Sequence, residues 1–223
     1  MTQACIFDMD GTLIDSMPAW RSLRPTLLAE RGIAMTDALE SELAGLTVHA
    51  SAGVLARRLP ELGMDEEALL AEFMARMSRF YAAAPEKPGA RRFLAHLHAQ
   101  GIPCAVLTAT GHEMACAALR QQGMTPYLRF VQSTRDMGIS KSDPDCFAQI
   151  AARLGVACGE CAVFEDALYA VRGAHAAGCR VFAIADDTNR ASWAEILSLA
   201  EAGFSDYGSL LAPGAPFPAE RVR

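Results

Sequence analysis

Two aspartates, Asp8 and Asp10, stand two residues apart at the end of a short apolar run, in the stretch IFDMDGTLIDS (residues 6–16). A further acid, Asp15, follows. Glu165 and Asp166 end a second apolar run, CAVFED, and Thr108, Ala109 and Thr110 follow the run PCAVL. Lys141 lies in the loop SKSDPD. Carboxylates brought together repel, so a cluster of them is costly unless a cation sits in it. Hard oxygen ligands without His or Cys suit Mg2+, which needs few protein ligands and readily shares a phosphate. An ammonium and a hydroxyl would supply charge and a donor for phosphoryl oxygens. Backbone N–H groups of the DMDGT turn, at Met9 among others, would add donors. There is no Ser–His pair and no reactive-cysteine setting, so a carboxylate is the natural nucleophile. The chain holds only two lysines, Lys87 and Lys141, which makes Lys141 unlike a casual surface charge.

Strands must carry these residues to one place. The runs at 4–8, 103–108, 129–132, 161–166 and 180–185 are short, apolar and bounded by turn residues, and GFSDY (203–207) reads as a last edge strand. Helical patterns at 111–122, 144–154 and 167–177 alternate with them. Alternation of this kind argues for an α/β fold, a Rossmann-like parallel sheet wrapped by helices. Ligands of such sheets bind beyond the carboxyl ends of the strands, where these residues fall.

Between the first two strands the pattern is helical throughout: Pro18–Arg31, with Gly32 as stop and Pro25 expected to kink it, then 36–44, 48–59 and 65–83. APEKPG (84–89) is a Pro/Gly linker. The expected organisation is a catalytic core of residues 1–15 and 88–211, a small all-helical insert of 16–87, and a Pro-rich tail of 212–223. Asp15 is expected to cap a helix or mark a hinge.

Composition narrows the function. Net charge is −6 and the pI about 5.4, which argues against a general nucleic-acid binder. Apolar stretches are too short and too often broken by charge to span a bilayer, and no signal peptide is recognisable. Seven cysteines, an odd number, read as reduced thiols in a cytoplasmic protein. Cys158 and Cys161 form one C-x-x-C with no second pair, which is weak evidence for a metal or redox site. A monomer or weak dimer is expected.

DMDGTLIDS resembles the first motif of the haloacid dehalogenase-like hydrolase superfamily. VLTAT, KSDPDCF and VFEDALYAVRGAHAAG are similar to its second, third and fourth motifs, in the right order. The resemblance runs from about residue 4 to residue 210 and is nearest to the beta-phosphoglucomutase-like phosphatases, which insert a helical cap after the first strand. It implies roles. Asp8 would attack phosphorus and become an aspartyl-phosphate. Asp10 would act as acid and base and bind the metal through its carbonyl. Thr108, with Ala109, Met9 and Lys141, would hold the phosphoryl group. Asp8, Asp10 and Asp166 would bind Mg2+, with Glu165 orienting the metal or its waters. The split between Asp8 and Asp10 also makes physical sense: one must be ionised beside the metal, and the other must be protonated for part of the cycle. The implied activity is phosphatase action on a small phosphorylated metabolite, with a cap closing at linkers near 14–17 and 82–88.

The chain departs from the family pattern in places. Ala167 stands for a serine and Ala170 for a glycine in the fourth motif. Trp20 and Val48 stand where the mutase carries a His and an Arg, so hydrolysis is favoured over mutase chemistry. Sugar-phosphate mutase activity and a non-catalytic binding protein on the same fold are the alternatives. Ser16, Trp20 and Thr47 are candidates for substrate specificity.

Overall fold

The computed structural model describes residues 2–44 and 46–211. The expected tail at 212–223 lies outside them. Each apolar run forms a strand: β1 Ala4–Phe7, β2 Cys104–Thr108, β3 Phe130–Ser133, β4 Cys161–Glu165, β5 Arg180–Ile184 and β6 Ala202–Phe204. They make one six-stranded sheet in the order β3-β2-β1-β4-β5-β6. Every pairing is parallel. The chain runs outward from β1 on one side and restarts on the other with β4. The crevice beyond β1 and β4 is therefore the point where strand order reverses.

Helices α1 Met17–Ala29, α2 Asp37–Leu43, α3 Val48–Arg58 and α4 Glu66–Tyr81 follow β1. Then come α5 Ala90–Ala99, α6 His112–Gln121, α7 Thr134–Met137, α8 Pro144–Leu154, α9 Leu168–Ala176 and α10 Trp193–Leu199. Contacts divide the described residues into two units: one runs to Met17 and resumes at Ala84, and the other is Pro18–Ala83.

Sheet residues alternate between two packed faces. Ile6, Leu107, Val163 and Val181 meet Phe147 and Ile150 of α8, Val171 of α9 and Ile196 of α10. On the other face, Phe7 stacks on Phe164 at 4.6 Å between centroids, and Phe164 on Phe182 at 5.4 Å. Phe93 of α5 meets Phe164 edge-on at 5.3 Å. Such pairs contribute about 0.5–1.5 kcal/mol each beyond their buried area. Tyr207 completes this face, but its hydroxyl is buried with no hydrogen-bond partner. We expect Tyr207→Phe to stabilise the protein by about 1 kcal/mol, seen as a higher urea midpoint, because it removes an unpaired polar atom and keeps the ring.

Helices α5, α7 and α10 were not anticipated. The pattern for α5 was available, since its buried residues Ala90, Phe93, Leu94 and Leu97 fall at helical spacing. The last strand ends at Phe204 rather than 207, because Asp206 turns the chain by accepting from the N–H of Gly208 at 2.7 Å. Helix α1 runs through Pro25.

The helical unit packs Leu27, Leu28, Leu55, Leu69, Phe73 and Met77 inward. Arg76 pairs with Glu72 at 2.7 Å and with Glu30, which ties α4 to the residue just after α1. In the core unit the two chain crossings lie side by side. Ile14 and Glu86 form an antiparallel bridge. The N–H of Asp15 donates to Pro85 O, and that of Lys87 to Leu13 O, each at 2.9 Å.

Candidate active site

Register alone puts the acids at one level. Phe7 pairs with Phe164, and the N–H of Asp8 donates to Phe164 O at 2.9 Å. The next residues outward on the two strands are then Asp8 and Glu165, with Asp166 following. The DMDGT turn folds back at once: Met9 O accepts from the N–H groups of Leu13 (2.9 Å) and Ile14 (2.8 Å). Gly11 has φ +84° in this turn, and a Cβ there would collide with the Asp166 carboxylate. A glycine is thus needed both for the backbone and for the space.

The carboxylates of Asp8, Glu165 and Asp166 are buried, with ligand-capable oxygens within 4.8 Å of one another. Among the described residues this is the only such group of His, Cys, Asp or Glu. Lys141 is 3% exposed and donates to Asp8 Oδ1 and, at 2.9 Å, to Glu165 Oε2. Burial alone would lower its pKa, but Asp8 and Glu165 outweigh burial and raise it well above the usual lysine value. One ammonium faces three carboxylates here, and a divalent cation would balance the two negative charges left when all three are ionised. Burial, then Glu165, push Asp8 up to about 8 despite Lys141. Burial and the same neighbours raise Asp166 well above the usual carboxylate range. Asp8 Oδ2 is buried without a hydrogen-bond partner. A buried acceptor without a donor, in a cluster of excess negative charge, is the signature of a cation site. The all-oxygen donor set fits a hard ion.

Asp10 stands apart from that group. Its Oδ1 accepts from Ser16 Oγ at 2.6 Å and its Oδ2 from Thr110 Oγ1 at 2.7 Å. Two hydroxyls therefore fix this carboxylate in one orientation. Ser16, expected at the substrate, is fully buried and serves Asp10 instead. Thr110 carries a role that sequence reasoning did not assign. Thr108 is fully buried, and its Oγ1 accepts from the N–H of Thr110 at 3.0 Å. Ala109 is exposed, and its carbonyl accepts from Arg135 Nε at 3.2 Å.

Glu165 is also more heavily engaged than expected. Its Oε1 accepts from the N–H groups of Asp166 and Ala167, each at 3.1 Å, while Oε2 takes Lys141. Ala167, the N-cap of α9, makes no side-chain cap. Glu165 thus ties down the backbone just ahead of that helix while holding the ammonium. Nothing in the sequence pattern pointed to Gly173. A Cβ there would overlap the carbonyl oxygen of Lys141, so α9 and the lysine loop are in backbone contact at this glycine. Asp15 lies 3.8 Å from Lys87 Nζ, an ion pair across the two crossings.

The helical unit holds a cavity of about 180 Å³ lined by Trp20, Leu23, Arg24, Leu46, Val48, Ser51 and Phe73. The Trp20 indole donates to Tyr81 Oη at 3.0 Å, so the tryptophan both packs and lines the cavity. Arg24 donates to Leu43 O and Ser51 Oγ, each at 2.9 Å. It places a guanidinium at this cavity, a role that no local pattern around Arg24 signals. Thr47 is exposed and caps α3, accepting from the N–H of Ala50 at 3.2 Å. All seven cysteines are free thiols, and Cys158 and Cys161 join no metal-ligating group among the described residues. No helix among those residues is long and apolar enough to cross a membrane.

Comparison with known proteins gives a consistent picture. Hexitol phosphatase A of Escherichia coli (strain K12) is 33% identical over 183 residues, covering 80% of this chain and 81% of that one. A phosphoglycolate phosphatase of Rhodospirillum rubrum is 30% identical over 220 residues, with 94% and 90% covered. Among solved structures, beta-phosphoglucomutase from Clostridium difficile superposes with a TM-score of 0.71 at 19% identity, covering 94% and 93%. CbbY from Rhodobacter sphaeroides does so with a TM-score of 0.74 at 21%, covering 94% and 96%. At those identities the structures speak for the fold alone. The family model for haloacid dehalogenase-like hydrolases matches residues 2–178, which contain every residue of the acidic cluster and its lysine. This chain belongs to the haloacid dehalogenase-like hydrolase family.

Proposed function

We propose that the protein is an Mg2+-dependent phosphatase of small phosphorylated sugars, polyols or related metabolites, working through an aspartyl-phosphate on Asp8. The observation that carries this reading is the buried Asp8–Glu165–Asp166–Lys141 cluster, in which three carboxylates face one ammonium. The side chains of Asp8 and Asp166 would hold the ion. When bound, magnesium draws charge from the phosphoryl oxygens and relieves the repulsion between them and Asp8.

In the first step an Asp8 oxygen bonds to phosphorus as the ester oxygen leaves. Asp10, oriented by Ser16 and Thr110, hands that oxygen a proton. In the second step Asp10 takes a proton from water as it attacks the aspartyl-phosphate, and Asp8 is freed. Lys141 and the Thr108 hydroxyl offset charge on the phosphoryl oxygens. Glu165 keeps Lys141 in place. Hexitol phosphatase A and the phosphoglycolate phosphatase, as named relatives, support a small oxygen-rich substrate. The seven free thiols fit a reducing, cytoplasmic setting for a monomer or weak dimer.

A release assay over hexitol phosphates, sugar phosphates and phosphoglycolate tests this directly. Free phosphate should appear with at least one of them in magnesium and stop on chelation. Isomer formation without phosphate release would favour the mutase, and no turnover on any substrate in magnesium would overturn the reading.

A further inference from the structure

Lys87, the second of the two lysines, has no part in the chemistry above, yet it is only 8% exposed. Its ammonium donates to Asp186 Oδ2 at 2.6 Å, in the loop after β5. Asp186 opens a short turn of helix, Asp187–Ser192, where its Oδ1 accepts from the N–H of Thr188 at 2.9 Å. The N–H of Asp186 donates at 3.2 Å to the side-chain oxygen of Asn189. Asn189 is 5% exposed and spends both amide hydrogens on main-chain carbonyls, Asp166 O at 3.0 Å and Ile184 O at 2.9 Å.

Those two carbonyls lie where the sheet comes apart. The last register pair of β4 and β5 is Glu165 with Ala183. Just beyond it, the N–H of Ala185 turns to Phe204 O on the other side. Asn189 therefore spans the gap that the ladder leaves open, and one end of its bridge is the carbonyl of Asp166. The side chain of that aspartate is held independently: Thr12 Oγ1 donates to Oδ1 at 3.2 Å, and the Gly11 turn lies against Oδ2. Asp166 is thus pinned at both backbone and carboxylate, and the backbone pin leads through Asp186 to Lys87. The N–H of Lys87 in turn donates to Leu13 O in the paired chain crossings.

We infer that Asn189 is a positioning residue for Asp166 as a metal ligand, and that Lys87 and Asp186 hold Asn189 and tie it to the crossings. The inference rests on the metal-dependent reading above. Groups that orient a metal ligand from behind typically affect metal affinity by about 10–100-fold when removed.

The test is magnesium titration of the metal-free full chain by calorimetry, alongside thermal midpoints in chelator and in magnesium. Asn189→Leu keeps the branched shape and removes every side-chain hydrogen bond. It should weaken magnesium binding by about 10-fold or more and shrink the magnesium-induced rise in midpoint. Lys87→Met should weaken binding about 3-fold or more, and the double variant should be no weaker than Asn189→Leu alone, since both act through one chain of contacts. A folded Asn189→Leu that binds magnesium within about twofold of wild type overturns the inference. If Asn189→Leu does not fold, unchanged affinity in Lys87→Met does so. The wild-type control separates this from failure of the functional reading: a wild type that binds magnesium yet hydrolyses no phosphomonoester sinks the phosphatase and leaves the positioning claim open to the same titrations.

Discussion

Asp8→Asn should abolish hydrolysis of a generic phosphomonoester in magnesium, by about 10⁴-fold or more, because an amide neither attacks phosphorus nor binds a cation as a carboxylate does. The same substitution should make the metal-free protein more stable at pH 8. In the folded chain Asp8 holds its proton up to about pH 8, whereas the unfolded chain releases it near the ordinary carboxylate value. Between those points the folded state binds more protons, so stability falls as pH rises. Asp166 is shifted in the same direction and adds to the slope. Lys141 is raised above the ordinary lysine value, so its contribution is fully present across this window. Wild type in chelator should therefore lose stability from pH 4 to pH 8, and magnesium should restore it most at the upper end. Asp8→Asn removes one source of the slope. Its thermal midpoint in chelator should exceed that of wild type by about 5 °C at pH 8 and match it near pH 4. Scanning calorimetry at the two pH values checks this. A variant with wild-type turnover, or with an unchanged pH slope, would count against Asp8 as the nucleophile in a strained cluster.

Lys141→Met carries the second large effect, and its sign on stability is opposite. The substitution keeps length and apolar bulk but leaves Asp8 and Glu165 without their shared ammonium. Removing one partner of a buried pair typically costs about 3–5 kcal/mol because the other charge is stranded. Part of that cost is escaped by protonation, so the loss should be largest at pH 8 and small near pH 5. Activity in magnesium should fall by about 10²–10³-fold, the range for removing one preorganised donor from a reacting centre. Arginine should not rescue it, since a planar fork does not fit a site built around one point charge. Urea midpoints at both pH values, paired with turnover, separate the two effects.

How far these residues could be found in advance depended on what kind of information marks them. Asp8, Thr108, Glu165 and Asp166 sit at or just beyond the ends of apolar runs, and a parallel sheet brings strand ends together whatever lies between. Their convergence was legible from periodicity. Lys141 stood out by scarcity. The hydroxyls on Asp10 were not legible in the same way: Ser16 and Thr110 are ordinary loop residues until the fold sets them 2.6 and 2.7 Å from one carboxylate. Ser16 stood as a candidate for substrate specificity, but place along the chain says nothing about the direction of a side chain. Asn189 and Arg24 escaped notice for a related reason. Their partners are main-chain carbonyls and a hydroxyl on other elements, and no local pattern encodes those. Helix α5 is a different case: its apolar spacing is regular, but it directly follows the Pro/Gly linker and starts at a glycine without a side-chain cap.

The contact at Gly173 bears on how this sequence is free to drift. Ala170 stands where the fourth-motif resemblance leads one to expect a glycine, and one helical turn later the chain has Gly173, on the same side of α9 and against the Lys141 carbonyl. The two positions differ in their tolerance. Ala170 is an ordinary buried methyl, but any side chain at 173 would have to lift the lysine loop or the helix. The close seat of the lysine loop on α9 therefore depends on the absence of a side chain at 173. Substitutions at 173 and in the lysine loop should be inherited together or not at all, and a library that varies one while fixing the other would sample mostly inactive proteins.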